Sequence, residues 1–269
     1  MDKLYQDRDW LYQQYVAEEK STCKISKEIH VAKATIWKWL NRHNIQTRSR
    51  SEAFHIARRH SVDISQYLMS IIEGELLGDG SMAVAKYGLS ARYKHGSKHL
   101  KYLEWLSGEM KNNGIMQTGR ILHRIHPLMN NCETWHYTSL FYTEFLDIRN
   151  RFYPNGIKIV PGDIVLNQIN LRQFFIGDGS LIHDDRSDNI RPYAVISTYA
   201  FDKRSMDTLI NQLKGLGFLA SIMTDNRIRI GARSTKDFIE YISPCPAAIE
   251  DIYGYKFSYD GSIRYKKNP

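Results

Sequence analysis

Two ten-residue segments of this chain end on the same four residues, Gly-Asp-Gly-Ser: IEGELLGDGS at 72–81 and LRQFFIGDGS at 171–180. A single Asp-Gly is a good turn and reads as a helix stop followed by a hairpin. Two copies at the same place in a repeated unit point instead to chemistry. Gly78 and Gly177, one position before Asp79 and Asp178, permit close backbone approach of two helix ends and would bring the carboxylates together. A pair of carboxylates beside a basic surface is a site for a divalent cation, because hard oxygen ligands suit Mg²⁺ and a substrate phosphate completes its shell. Such a cation activates water and stabilises a leaving 3′ oxygen.

The segments recur because the chain runs twice through one plan from residue 63 onward. Apolar periodicity predicts a helix over 65–78, hairpin strands near 81–94, a helix over 98–112, strands near 119–126 and 133–141, and a helix near 143–152. The second pass predicts a helix over 167–177, strands near 180–186 and 190–198, a helix over 202–215, strands near 218–224 and 227–231, and a helix over 234–242. This duplication implies an α+β fold, a pseudo-twofold pair of αββαββα repeats over 63–160 and 161–269. Ser90, Arg92 and Lys94 share one strand face, Arg120 and Arg124 another, and Arg227 and Arg229 alternate with Ile228 and Ile230. Any half-buried antiparallel sheet alternates in this way, with its other face beneath helices. The recurrence of Arg and Lys at the open positions favours DNA, since basic strands can lie along a major groove.

Ahead of the repeats, residues 8–19 have helical spacing through Trp10, Leu11 and Tyr15, a short helix spans 25–29, and AKATIWKWLNRH follows a turn. This is a helix-turn-helix pattern over 1–46, with a core of Ile25, Ile29, Val31, Ile36 and Leu40. Lys33, Thr35, Lys38 and Arg42 project from the last helix, which would lie in a major groove. A plain three-helix bundle with solvated charges would give the same pattern. The next segment tips the balance toward DNA: residues 47–62 read as a basic linker, whose Arg48 and Arg50 suit phosphate contact.

Composition agrees. The 269 residues suffice for one large domain and one small, and 37 Lys and Arg against 29 Asp and Glu give a net charge of +8, which favours a polyanionic partner. Residues 1–62 hold 12 basic and 7 acidic side chains, so the excess is concentrated at the front. Three cysteines, Cys23, Cys132 and Cys245, are far apart and support neither a disulfide framework nor a zinc site. A reducing compartment, cytoplasmic or an organellar matrix, is expected. The charged N-terminus and the absence of an apolar run near the roughly 20 residues that cross a bilayer predict no export and no membrane partner. His183-Asp184-Asp185 and the Cys132/His136 pair lack the further partners that a triad or metal site needs.

At the repeated motif the chain resembles the LAGLIDADG homing endonucleases in their single-chain, two-repeat form. The nine-residue signature falls on 72–80 and 171–179; the first copy keeps an early glycine, Gly74, where the second has Gln173. KIVPGDIVL at 158–166, STYAFDKRSMDTLINQLKGLGF at 197–218 and YGYKFSY at 253–259 are similar to the subgroup whose second repeat ends in a Tyr-Lys pair, so the likeness spans roughly 65–260.

The resemblance implies a monomer with saddle-shaped sheets, making a staggered double-strand break across the minor groove of a long duplex DNA site. It implies Asp79 and Asp178 as catalytic metal ligands, aided by the Gly78 and Gly177 carbonyls, with Mg²⁺ as the cofactor and Mn²⁺ or Ca²⁺ as substitutes in the site. Lys158 and Lys256 would stabilise phosphate charge or poise water there. The sheet faces would read DNA, with Lys86, Arg92, Lys94, Arg120, Arg124, Arg186, Arg191, Arg227 and Arg229 as candidate contacts. Rival readings are a cleavage-inactive DNA-binding regulator on the same scaffold and an intron maturase binding RNA. Retention of both aspartates argues against the first, and the helix-turn-helix against the second.

Overall fold

The computed structural model describes residues 3–127, 131–182 and 192–259. Its contacts divide the chain into two compact units, up to Arg59 and from His60 onward.

In the first unit, α1 (Arg8–Tyr12) runs on as a π-turn over Gln13–Ala17, followed by α2 (Thr22–Glu28), α3 (Lys33–Arg42) and α4 (Arg50–Arg58). Asp7 and Ser21 cap α1 and α2 by accepting the amides of Trp10 and Lys24, which satisfies donors that the first helical turn leaves orphaned. Leu11, Tyr15, Ile25, Ile36, Leu40 and Ile45 form the core, while Ile29 and Val31 are only partly buried against it. The segment read as a basic linker contains α4, started by a capping box in which Ser49 and Glu52 serve each other's backbone amides.

The second unit contains the repeats. The first comprises α5 (Gln66–Leu77), β1 (Ser81–Val84), β2 (Ala91–Ser97), α6 (Leu100–Asn112), β3 (Leu122–His126), β4 (Cys132–Thr138) and α7 (Glu144–Phe152). The second comprises α8 (Gln168–Asp178), β5 (Gly179–Ile182), β6 (Tyr193–Ile196), α9 (Lys203–Gly215), β7 (Ala220–Ile222), β8 (Ile228–Ile230) and α10 (Ala232–Ile242), after which α11 (Glu250–Tyr253) leads to a short 3₁₀ turn at Gly254–Lys256. Each repeat builds an antiparallel four-stranded sheet in the same spatial order, β1-β2-β4-β3 and β5-β6-β8-β7. Helices α5 and α8 pack against each other between the halves, which buries most of α5 and, in α8, Asn170, Leu171 and the Gln173–Ile176 stretch. Ser65 caps α5 and an Asn167–Asn170 capping box starts α8. No helix among the described residues is long and apolar enough to cross a membrane.

Two features depart from the sequence reading. Strand β3 lies at the sheet edge with Leu122, His123, Arg124 and Ile125 all exposed, so it has no buried face; Arg120 precedes it in a bend. Ser90 lies before β2 and is 4% exposed, so it does not share the open face of Arg92 and Lys94.

Candidate active site and nucleic-acid interface

The motif helices approach most closely at a glycine other than the two beside the acids. A methyl group built on Gly74 would lie 2.6 Å from Gln173 Cβ and 2.8 Å from Asn170 Cα, with the Asn170 carbonyl oxygen closer still. At Gly78 the nearest atom would be Asp178 Oδ2 at 3.4 Å, and at Gly177 the nearest atoms would lie at 4.0 Å. The early glycine of one copy therefore makes room for the Gln173 of the other. Gly78 and Gly177 are not forced by sterics.

The same contacts place the acids together. Asp178 Oδ2 faces Gly78, and Asp79 Oδ2 lies 4.0 Å from the corresponding methyl position on Gly177, so each carboxylate reaches the end of the other repeat's helix. Their settings differ. Helix α5 ends at Leu77 and Asp79 sits in the turn beyond it, whereas α8 continues through Asp178. Burial first, and then the Asp79 carboxylate, raise the Asp178 acid from 3.8 to about 7, opposed by Lys158 and Lys256. A small cavity of about 200 Å³ opens beside the pair, lined also by Lys158 and residues 197–201. The 197–201 segment was legible in the sequence only as part of a longer resemblance.

Both lysines named from the resemblance converge here, held by main-chain carbonyls. Lys158 Nζ donates to Gly78 O at 2.5 Å and Gly80 O at 3.1 Å, the two carbonyls flanking Asp79. Lys256, only 6% exposed, donates to Ile176 O at 2.6 Å, Gly177 O at 3.3 Å and Phe175 O at 3.4 Å. Burial lowers both ammonium groups to about 8, against the pull of the two aspartates. The Gly78 and Gly177 carbonyls thus already accept from an ammonium, and a cation sharing them would meet a like charge. The two carboxylates fit the metal, and each of those carbonyls, with two lone pairs, already has one lysine donor. Among the described residues no group of three or more His, Cys, Asp or Glu converges as a metal site. Two carboxylates match Mg²⁺, which is commonly held by one or two acids plus substrate phosphates.

Beneath the first acid lies a network that sequence reasoning missed. Glu75, 2% exposed, accepts from Tyr93 Oη at 2.9 Å and from Tyr102 Oη, and faces His95 Nδ1 at 2.9 Å. Its signal was an acid set within the apolar run of IEGELL.

The candidate DNA contacts sort by partner. Lys33, Lys38 and Arg42 are exposed on α3 beside Trp37, which is 57% exposed; Thr35 is half-buried. Arg42 stacks 4.8 Å from the Trp39 ring. Arg50 is exposed at the start of α4. Arg48 has a different role: its guanidinium donates to the carbonyls of Tyr15 (2.6 Å), Glu19 (2.8 Å) and Lys20 (2.6 Å), and stacks 4.0 Å from the Tyr15 ring. Those carbonyls are left over at the end of the π-turn, so Arg48 closes the unit's own fold instead of awaiting phosphate. Lys94 is exposed on β2 with Arg92 beside it, half-buried 4.9 Å from the Phe141 ring, and Lys86 is exposed in the preceding turn. Arg124 shares its sheet face with a chain the sequence did not single out, in which Thr134 Oγ1 bonds His126 Nε2 at 2.8 Å and His136 Nε2 at 2.9 Å. Arg229 is exposed and stacks 4.1 Å from the Tyr193 ring, whereas Arg227 is paired with Asp225 at 2.7 Å. Arg186, Arg191 and His183-Asp184-Asp185 lie outside the described residues.

The chain is similar to known proteins in sequence and in fold. Residues 69–238 match the LAGLIDADG DNA endonuclease family. The chain is 27% identical over 182 residues to the uncharacterized protein MJ1098 of Methanocaldococcus jannaschii, a match covering 64% of this chain and 65% of that protein. It also resembles the homing endonuclease I-WcaI, solved bound to its DNA recognition sequence, with a TM-score of 0.61 and 19% identity over 81% of this chain and 97% of that one. A family match over residues 69–238, a stretch that includes both acids and both sheets, places this protein in the LAGLIDADG DNA endonuclease family.

Proposed function

We propose that this chain is a site-specific endonuclease that makes a staggered double-strand break in a long duplex DNA target, acting as a monomer with Mg²⁺. What carries the reading is the convergence of Asp79 and Asp178, one from each repeat, on a small cavity lined by Lys158, with the buried Lys256 held at the carbonyls of the α8 end. One acid per repeat suits a substrate with two strands.

Asp79 and Asp178 are the ligands the geometry offers to the cation. When bound, it supplies activation of water for attack at phosphorus and neutralises charge on the leaving 3′ oxygen. Lys158 and Lys256, each fixed by two or three carbonyls, hold positive charge at the carboxylates without having to be ordered during the reaction. Desolvation strengthens both effects, because Lys256 is nearly inaccessible and Asp178 is half-buried. Lys86, Arg92, Lys94, Arg124 and Arg229 would contact DNA from the sheets, and Lys33, Lys38, Arg42 and Arg50 from the N-terminal unit.

Incubating the purified chain with a randomised duplex library, in Mg²⁺ and in EDTA, and sequencing the ends tests the proposal. Mg²⁺-dependent staggered ends at one long sequence are expected. Retention of a long sequence without cutting would instead identify a cleavage-inactive regulator.

A further inference from the structure

The two acids are supported by different means, and the difference follows the sequence. Asp178 belongs to the last turn of α8, so helical hydrogen bonding fixes its backbone. Asp79 lies past the end of α5, where Gly78 leaves helical geometry at φ −95° and ψ −133°. Its turn closes on one atom, the Glu75 carbonyl oxygen, which accepts from Gly78 N at 3.1 Å and Gly80 N at 2.8 Å. The turn is also tight: a methyl group on Gly80 would lie 2.6 Å from that oxygen and 2.9 Å from Tyr93 Oη. Glu75 is itself clamped by its side chain, through Tyr93 and His95 on β2 and Tyr102 on α6. At the matching position of the second copy stands Phe174, buried in the core.

We infer that Glu75 is a positioning residue for the first repeat's half of the reaction alone, transmitting the fixed geometry of β2 and α6 through its own backbone to the turn that carries Asp79. The same clamp orients the Gly78 and Gly80 carbonyls that hold Lys158, so both groups on that side depend on it. Burying a carboxylate this deeply is costly unless its oxygens are satisfied, and here each oxygen has at least one partner. The second repeat achieves the same end with a helix that runs on through its acid and with an apolar side chain. The inference rests on the endonuclease reading above.

The test is strand-resolved cleavage of a supercoiled plasmid carrying the site selected from the randomised library, by the full chain, by E75Q and by Y102F, with binding to the same duplex measured in parallel. E75Q keeps the shape of the side chain but disturbs the clamp, and Y102F removes one bond from it. Cleavage of one strand, the same in both variants, should slow by about tenfold or more, since misplacing a reacting group by about 1 Å costs up to about 100-fold. The other strand should keep its rate and the duplex should bind as before, so nicked plasmid accumulates. Both strands slowing equally, no change in the nicked fraction, or lost binding in both variants would overturn the inference while leaving the endonuclease reading intact. A wild-type chain that cuts neither strand would overturn both.

Discussion

In the proposed mechanism, proton and cation compete for Asp178. Its acid is raised to about 7 from 3.8, so the folded state favours the neutral form. That contribution to stability is full below pH 3.8 and is lost as pH rises through about 7. Lys158 and Lys256 work the other way: with ammonium groups lowered from 10.5 to about 8, their contribution is present above pH 10.5 and lost as pH falls through about 8. Near neutral pH the site therefore holds three charged groups that burial disfavours, and the proposed cation on the acids would relieve the repulsion between the two carboxylates. Mg²⁺ should raise Tm by more at pH 8 than at pH 6, and D178N should erase that difference; equal increments in the wild-type chain would remove Asp178 from the ligand set. D79N and D178N should each abolish double-strand cleavage while duplex binding stays within about twofold, because each removes a ligand but no DNA-facing cation. Normal two-strand cutting by either variant would sink the assignment.

Among the elements, the α5–α8 crossing decides the geometry of the site, and it is controlled by Gly74 and Gln173 instead of by the glycines that precede the acids. The methyl of G74A has no free space against Asn170 and Gln173, and overpacking of this kind costs about 1–3 kcal/mol. G177A meets nothing closer than 4.0 Å and lies in a helix, so it should be neutral or stabilising by up to about 1 kcal/mol. Chemical denaturation of the two variants separates these outcomes; equal destabilisation would contradict the crossing described here. Gln173 adds a second observation at the same interface, since neither its Nε2 nor its Oε1 finds a partner.

At the scale of the whole molecule, the charge excess is divided between two units with different surfaces. The N-terminal unit presents Lys33, Lys38 and Arg42 on one helix, and the repeats present cations on open sheet faces. Duplex binding should weaken with salt, log K falling by about 0.9 for each phosphate neutralised. The combined variant K33A/K38A/R42A should flatten that slope if α3 meets the backbone. An unchanged slope would confine DNA contact to the repeats. R48A should behave differently, lowering the stability of its unit with little change in slope, because its donors are consumed by three carbonyls.

The sequence by itself determined the duplicated plan, the order of helices and strands and the two acids, because periodicity and turn chemistry are local and a motif repeated in one chain announces its own symmetry. The open face of β2 and the alternation at Arg229 were legible for the same reason. Tertiary structure alone decided which glycine the crossing needs, that Lys158 and Lys256 are held by helix-end carbonyls, and that Glu75 is clamped by two tyrosines and a histidine from other elements. It also decided that Arg48 is spent inside its own unit and that β3 stands clear of the core. These depend on which surfaces meet across the fold, and the partners lie from 18 residues away, for Glu75 and Tyr93, to 99, for Gly74 and Gln173, beyond the reach of any local pattern.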